Sequence, residues 1–490
     1  MILAGGGILF LLLATANGAG YRYGVSDQAF YIPVVEHAIN PETFPRDASL
    51  IDAQGRLMIT DEIIAAIARL TSLPLDAIFL AGYLLTVALV GIALVLIGQR
   101  VSATPWVVVA ILAALTLRHR IPRTSANSFE PYFHPRMLAF GMGLLAVASL
   151  LRRRTWLSIA LVGATALLHV TTGLWFSILI GVALVRLEPE LRRLAIAAAV
   201  AAVAVGAWAL MAGPLRTSMT QMDDVWLQAV ASKDSLFASQ WPLWAWIANL
   251  ALLALLWWAH VRRQGSGQAT VEDDALIWGA TALVAFFLLT LPLVVARFAF
   301  PVQLQISRVF WILDLLGVVS VLWLLLEGDR WPAPEARPRL RFGVVALLVA
   351  AAVARGTWVS LAERRDRPLL AWSLPDDDWT RVIEWAASQP IRTHLLADPG
   401  HAWRYGTPLR YSGRDVFLEE VKDTAMAIYS RESAARVIER QAALGDFSTL
   451  DGEHARALAR RYRLDYLVIR GELPLPEAHR EGVFHVYALR

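Results

Sequence analysis

Carboxylates, histidines and arginines in this sequence gather at the ends of long apolar runs. Asp27 stands in "YRYGVSDQAFYIP", a few residues beyond the first such run, with Glu36, Asp47 and Asp52 further along the same segment. A second polar stretch, "RHRIPRTSANSFEPYFHPR", carries Arg118, His119, Arg120, Arg123, Glu130, His134 and Arg136. His169 opens "HVTTG" near the end of another apolar run, and Arg297 and Arg308 flank a short link between two more. A carboxylate at hydrogen-bond distance can take a proton from a hydroxyl. Guanidinium forks match the oxygens of a phosphate. The set therefore offers proton abstraction beside a cationic phosphate cradle.

Each residue also has a plainer assignment. Asp27 suits the cap of a following helix. Glu36 fits the wet face of that helix, and Asp47 and Asp52 fit turns. Arginines at span ends snorkel to headgroups. His169 could bond a neighbouring helix, and His134 and Arg136 could be ordinary interfacial residues.

The elements that position these residues are read from the apolar blocks. Of 490 residues, 57% are hydrophobic and 18% are charged, more apolar side chain than a soluble chain of this length hides. Candidate spans cover 1–19, 76–98, 101–117, 136–151, 155–171, 172–187, 194–213, 241–261, 274–296, 307–327 and 341–359. The segment 155–187 is too long for one crossing, and "HVTTG" at 169–173 supplies the turn that splits it. The run 1–19 also resembles a cleavable signal peptide, but it lacks a basic start, and a retained span is the preferred reading.

Arginines set the orientation. Arg152, Arg153, Arg154, Arg186, Arg192, Arg193, Arg262, Arg263, Arg330, Arg337, Arg339 and Arg341 all fall on one side of an eleven-span chain, which is then cytoplasmic. The N-terminus is expected inside. Segments 20–75, 118–135, 214–240 and 297–306, and everything after 359, are expected outside. The polar residues singled out above then share the outer level, where ionisable groups are costly and face a polar cavity or one another.

Two outer pieces have structure of their own. In 27–39 and 60–71 apolar residues recur at helical spacing, with Thr60 able to cap the second segment. Two amphipathic helices at the membrane surface follow. The tail, about 360–490, alternates helix and strand patterns. "THLLADP", "DYLVIR" and "VFHVYALR" read as strands, and "SLPDDDWTRVIEWAASQP", "ESAARVIERQAALG" and "DGEHARALARRYR" as helices. The tail has no glycine-rich phosphate loop and no nucleophile elbow, and positioning the membrane part is its first assignment. The absence of cysteine excludes disulfides and thiolate metal sites. A net charge of +4 does not suggest nucleic acid.

An acid just after the first span, cations around it, and a domain on the same side resemble the GT-C superfamily of membrane glycosyltransferases. "DQAFY" at 27–31 is similar to the acidic start of the first outer loop in protein mannosyltransferases and aminoarabinose transferases. The resemblance implies an α-helical polytopic membrane protein of about 11 spans, GT-C-like over 1–359, with a small C-terminal α/β extracytoplasmic domain over 360–490. It implies that Asp27 is the catalytic base and Tyr31 part of the pocket. Glu130 is the second candidate acid. Arg136, Arg297, Arg308 and His169 are the candidates for the donor phosphate, and His134 is a further pocket candidate. The partners implied are a polyprenyl-phosphate-linked sugar, a glycan, lipid or protein acceptor, and membrane lipid. The sequence departs at Gln28, where those families carry a second acid, so a divalent metal is left open. A lipid-linked polysaccharide polymerase or ligase, a transporter or flippase, and a non-catalytic scaffold are the alternatives.

Overall fold

The computed structural model describes residues 2–55, 58–213, 215–328 and 337–490, with the side chains of 2–5, 54, 217 and 337 outside the description. Arg330 and the Arg337 side chain, both counted for orientation, therefore lie outside the described residues. The chain divides into two compact units. One comprises 1–21, 81–221 and 234–370; the other comprises 22–80, 222–233 and 371–490.

The first unit is helical. Among the described residues of the whole chain, seven helices are long and apolar enough to cross a membrane: Leu75–Val101, Val170–Leu187, Pro189–Met211, Leu243–Gly265, Val271–Val295, Ala299–Glu327 and Pro338–Glu363. The apolar helices Gly6–Asn17, Pro105–Thr116, Pro135–Leu150 and Thr155–Leu168 are shorter. At about 1.5 Å per residue, 16 residues reach roughly 24 Å, short of a ~30 Å hydrocarbon core. The eleven apolar segments thus all form helices, and seven of them have spanning length. The chain is an integral membrane protein.

The 155–187 segment breaks where the turn is expected. Helix Thr155–Leu168 ends at His169, whose extended backbone (φ −157°, ψ 103°) starts helix Val170–Leu187. Three arginine-bearing links meet at one end of the bundle, on the acidic first turn of helix Val271–Val295. Arg153 pairs with Glu272, Arg186 with Asp274 at 2.7 Å, and Arg263 with Asp273 at 3.0 Å. The arginine count does not reveal these carboxylate partners.

In the second unit the tail forms a five-stranded mixed sheet. Its strands are β1 His394–Ala397, β2 Asp415–Val416, β3 Tyr466–Ile469, β4 Glu477–Glu481 and β5 Phe484–Ala488, in the order β2-β1-β3-β5-β4. β1 pairs parallel with β2 and β3, while β5 pairs antiparallel with β3 and β4. Alternation fills both faces. Leu396, Phe417, Leu467 and Tyr487 pack with Val437, Leu444, Ala455 and Leu458 of helices Arg431–Leu444 and Gly452–Tyr462. Leu395, Ala397, Val468 and Val486 pack with Trp379, Val382 and Ile383 of helix Asp378–Ser388.

The first-loop helices form as Gln28–Ile39 and Thr60–Thr71, with two corrections. Gln28–Ile39 is not a surface helix, because every residue from Gln28 to Val35 is buried. Thr60 does not cap, since Ile59 holds the cap position without a side-chain cap bond. Thr60–Thr71 does present an apolar stripe outward, with Ile63 40%, Ile67 39% and Leu70 85% exposed. That is the form of an interfacial helix.

Candidate functional site

Asp27 is positioned by a turn that its neighbours build. Gly24 (φ 82°) and Ser26 (φ 54°) take left-handed backbone, and a Cβ on Gly24 would stand 2.7 Å from Leu374 Cδ2. The Gly24 N–H donates to Gln28 Oε1 at 2.7 Å, and Gln28 is wholly buried. Gln28, the departure from the acidic pair, therefore holds the turn that aims Asp27.

The cap assignment for Asp27 does not hold. Its side chain makes no capping bond; Oδ1 instead accepts from Lys422 Nζ at 2.9 Å. The Asp27 side chain is 41% exposed and that of Lys422 10%, so the carboxylate is open to a substrate while its partner is largely enclosed. Tyr31 lies one turn on, buried, with its ring edge-on to Phe30 at 5.3 Å.

A buried ionic network fixes Lys422 from below. Arg410 binds Asp423 at 2.5 and 3.1 Å, Glu419 at 3.2 Å and Asp47 at 2.9 Å. Arg436 also pairs with Asp47, and His401 with Glu419 at 3.1 Å. Burial pushes the Asp47 carboxyl up, but Arg436 and Arg410 outweigh it and hold it far below the carboxylate range. Asp47 lies in the expected turn, its N–H donating to Phe44 O at 3.0 Å, and its side chain also carries a charge pair between first loop and tail. Burial likewise opposes the Arg410 charge, and Asp423, Asp47 and Glu419 restore it. Helix Glu420–Met426 is thereby anchored through Asp423, next to Lys422.

Segment 222–233 brings a second lysine. Trp226 Nε1 donates to Ala427 O at 2.6 Å, and Arg431 Nε to Asp223 at 2.8 Å, seating helix Asp224–Val230 on the tail. Lys233 Nζ then donates to Val421 O at 3.3 Å. Burial and the Lys422 charge depress the Lys233 ammonium, against Asp27 and Glu420. Sequence reading missed both lysines, although they are the only two in the chain.

Glu36 departs from the wet-face assignment. Its Oε2 is enclosed without a hydrogen-bond partner among the described residues, and burial raises its pKa to about 8.

In the first unit, the basic candidates cluster at the bundle end opposite the arginine links. His134 caps helix Pro135–Leu150, its Nδ1 accepting the Arg136 N–H at 3.0 Å. His169 caps its own helix, its Nδ1 accepting the Thr172 N–H at 3.3 Å. His169 is buried. The Arg136 guanidinium lies 5.8 Å above the Trp311 ring. Glu130 is buried, receiving Asn127 Nδ2 at 3.0 Å, with Arg118 at 3.4 Å and Arg136 at 3.7 Å. That is a counter-ion's geometry. Arg297 is exposed, in a left-handed turn (φ 61°) after helix Val271–Val295.

One acid hidden in an apolar run also emerges. Asp314, inside helix Val309–Glu327, pairs with His119 Nε2 at 2.9 Å. The His119 Nδ1 stands 3.1 Å from Leu117 O. The Asp314 bond raises the His119 pKa against burial. Among the described residues no three His, Cys, Asp or Glu side chains gather as a metal site requires.

No protein-family model matches the chain, and no curated protein matches it. Among solved structures it is similar to the oligosaccharyltransferase of Archaeoglobus fulgidus in the apo form. The identity is 13% and the TM-score 0.47, over 96% of this chain and 69% of that one. It is also similar to the Archaeoglobus fulgidus oligosaccharyltransferase AglB in complex with an inhibitory peptide and a dolichol-phosphate. There the identity is 13% and the TM-score 0.43, over 94% of this chain and 68% of that one. At these TM-scores the likeness by itself argues nothing about chemistry, which rests on the side chains.

Proposed function

We propose that the chain is a membrane glycosyltransferase that moves a sugar from a polyprenyl-phosphate donor to an acceptor hydroxyl at the outer face. The observation that carries this reading is Asp27: a half-open carboxylate held by Lys422 and spent on no helix cap. An ion-paired carboxylate stays ionised and oriented, as a general base must. Asp27 takes the acceptor proton while the acceptor oxygen bonds to the anomeric carbon. The bond to the phosphate oxygen breaks, and its electron pair leaves with the phosphate. Cationic donors at the leaving oxygen neutralise that departing charge. One displacement inverts the anomeric centre. Glu130, ion-paired on both oxygens, orients Arg118 and Arg136 rather than taking the proton.

The test is Asp27→Asn. The amide still accepts from Lys422 but cannot take a proton, so single-turnover transfer from a lipid-linked sugar falls by about 100- to 10,000-fold. Donor binding persists. Near-normal transfer by this variant removes Asp27 from the mechanism.

A further inference from the structure

Of 45 basic Lys and Arg side chains, the chain spends only two on lysine, and the fold brings both to helix Glu420–Met426, beside Asp27. Lys422 Nζ lies 2.9 Å from Asp27 Oδ1, and Lys233 Nζ lies 3.3 Å from the carbonyl of Val421, the residue before Lys422. Glu420 is exposed and turns Oε1 to Gln441 Nε2 at 3.2 Å. The two ammoniums therefore face Asp27 and the exposed Glu420. An ammonium carries three N–H donors. Among the described residues each of these lysines has one hydrogen-bond partner. Ammonium donors beyond these bonds are therefore left over beside Asp27 and the Val421 carbonyl.

We propose that Lys233 and Lys422 form a binding site for an anionic group, phosphate or carboxylate, carried by the acceptor. This rests on the reading of Asp27 as the base. Displacement at the anomeric carbon puts nucleophile and leaving group on opposite faces. Lys422, in contact with the base, lies on the nucleophile's face, and Lys233 is held at the carbonyl of the residue before it. The anion they receive therefore belongs to the acceptor, not to the departing lipid phosphate. The depressed Lys233 ammonium gains most from such a ligand, because a bound anion offsets the repulsion from Lys422.

With two lysines in the chain, amine acylation followed by peptide mass spectrometry reads each one separately. The full-length protein in lipid nanodiscs is acylated with inorganic phosphate, glucuronate, neutral glucose or a polyprenyl phosphate present. Phosphate or glucuronate at ten times its Kd slows acylation of both lysines about tenfold by mass action, and glucose and the polyprenyl phosphate do not. Lys233→Gln, with folding checked by thermal melting, weakens that protection at Lys422. Absence of protection, or equal protection by glucose, overturns the site. Protection by the polyprenyl phosphate overturns the acceptor assignment. Normal transfer by Asp27→Asn alongside intact anion protection sinks the base, and with it the acceptor assignment, while the anion site itself stands.

Discussion

Several side chains that look alike in the sequence have different employment in the fold. His134 and His169 both spend Nδ1 on capping a helix, which aims the remaining ring nitrogen and fixes the start of the next helix. Arg136 and Arg308 are candidate cations for the donor phosphate. Arg136→Ala and Arg308→Ala should each weaken binding of a polyprenyl-phosphate sugar about 10-fold or more, the scale of a lost charge-assisted contact. Equilibrium binding to the purified protein measures it. Unchanged affinity in both variants would move the phosphate elsewhere. Glu130→Gln should reduce donor affinity less, because the amide keeps hydrogen-bonding capacity.

Among elements, helix Glu420–Met426 is held by charge as well as by the buried Met426, through Asp423 on Arg410 and Arg410 on Asp47. Asp47 is fully buried, so Asp47→Ala leaves Arg410 and Arg436 short of a counter-ion. Breaking a buried pair in this way costs about 3–5 kcal/mol. Urea unfolding should show that loss, and a change under 1 kcal/mol would mean the network contributes little. The pair between His119 and helix Val309–Glu327 carries a pH signature. Its folded pKa is raised, so its stabilisation is complete below the unfolded value near 6.5 and is lost as pH rises through the folded value. Asp314→Asn should lower the melting temperature more at pH 6 than at pH 9. Equal shifts at both would show that His119 is not protonated in the pair.

For the whole molecule the testable property is direction across the membrane. Arg153, Arg186 and Arg263 meet at one bundle end, as links on one side must. If that end is cytoplasmic, reporter fusions after Arg154 and after Arg490 should report opposite sides. The same side would exclude an odd number of crossings.

The sequence by itself determined the apolar segments, the break at His169 and the helix and strand order of the tail. Each depends on neighbours a few residues apart: periodicity, runs of apolar side chains and turn chemistry. Asp27 stood out for the same reason, a lone acid after an apolar run. Only the tertiary structure decided what Asp27 touches. Lys422 lies 395 residues away in the chain, and nothing local marks it or Lys233 as a partner. Local pattern was equally silent on Asp314, which sits in a run otherwise apolar enough to read as plain span, and on Asp47, whose turn does not reveal that its side chain pairs with Arg410. It also could not show that 22–80 and 222–233 pack with the tail in one unit. The physical reason is common to all of these. A charge buried in an apolar or crowded place needs a partner in space, and chain order does not say from where that partner comes.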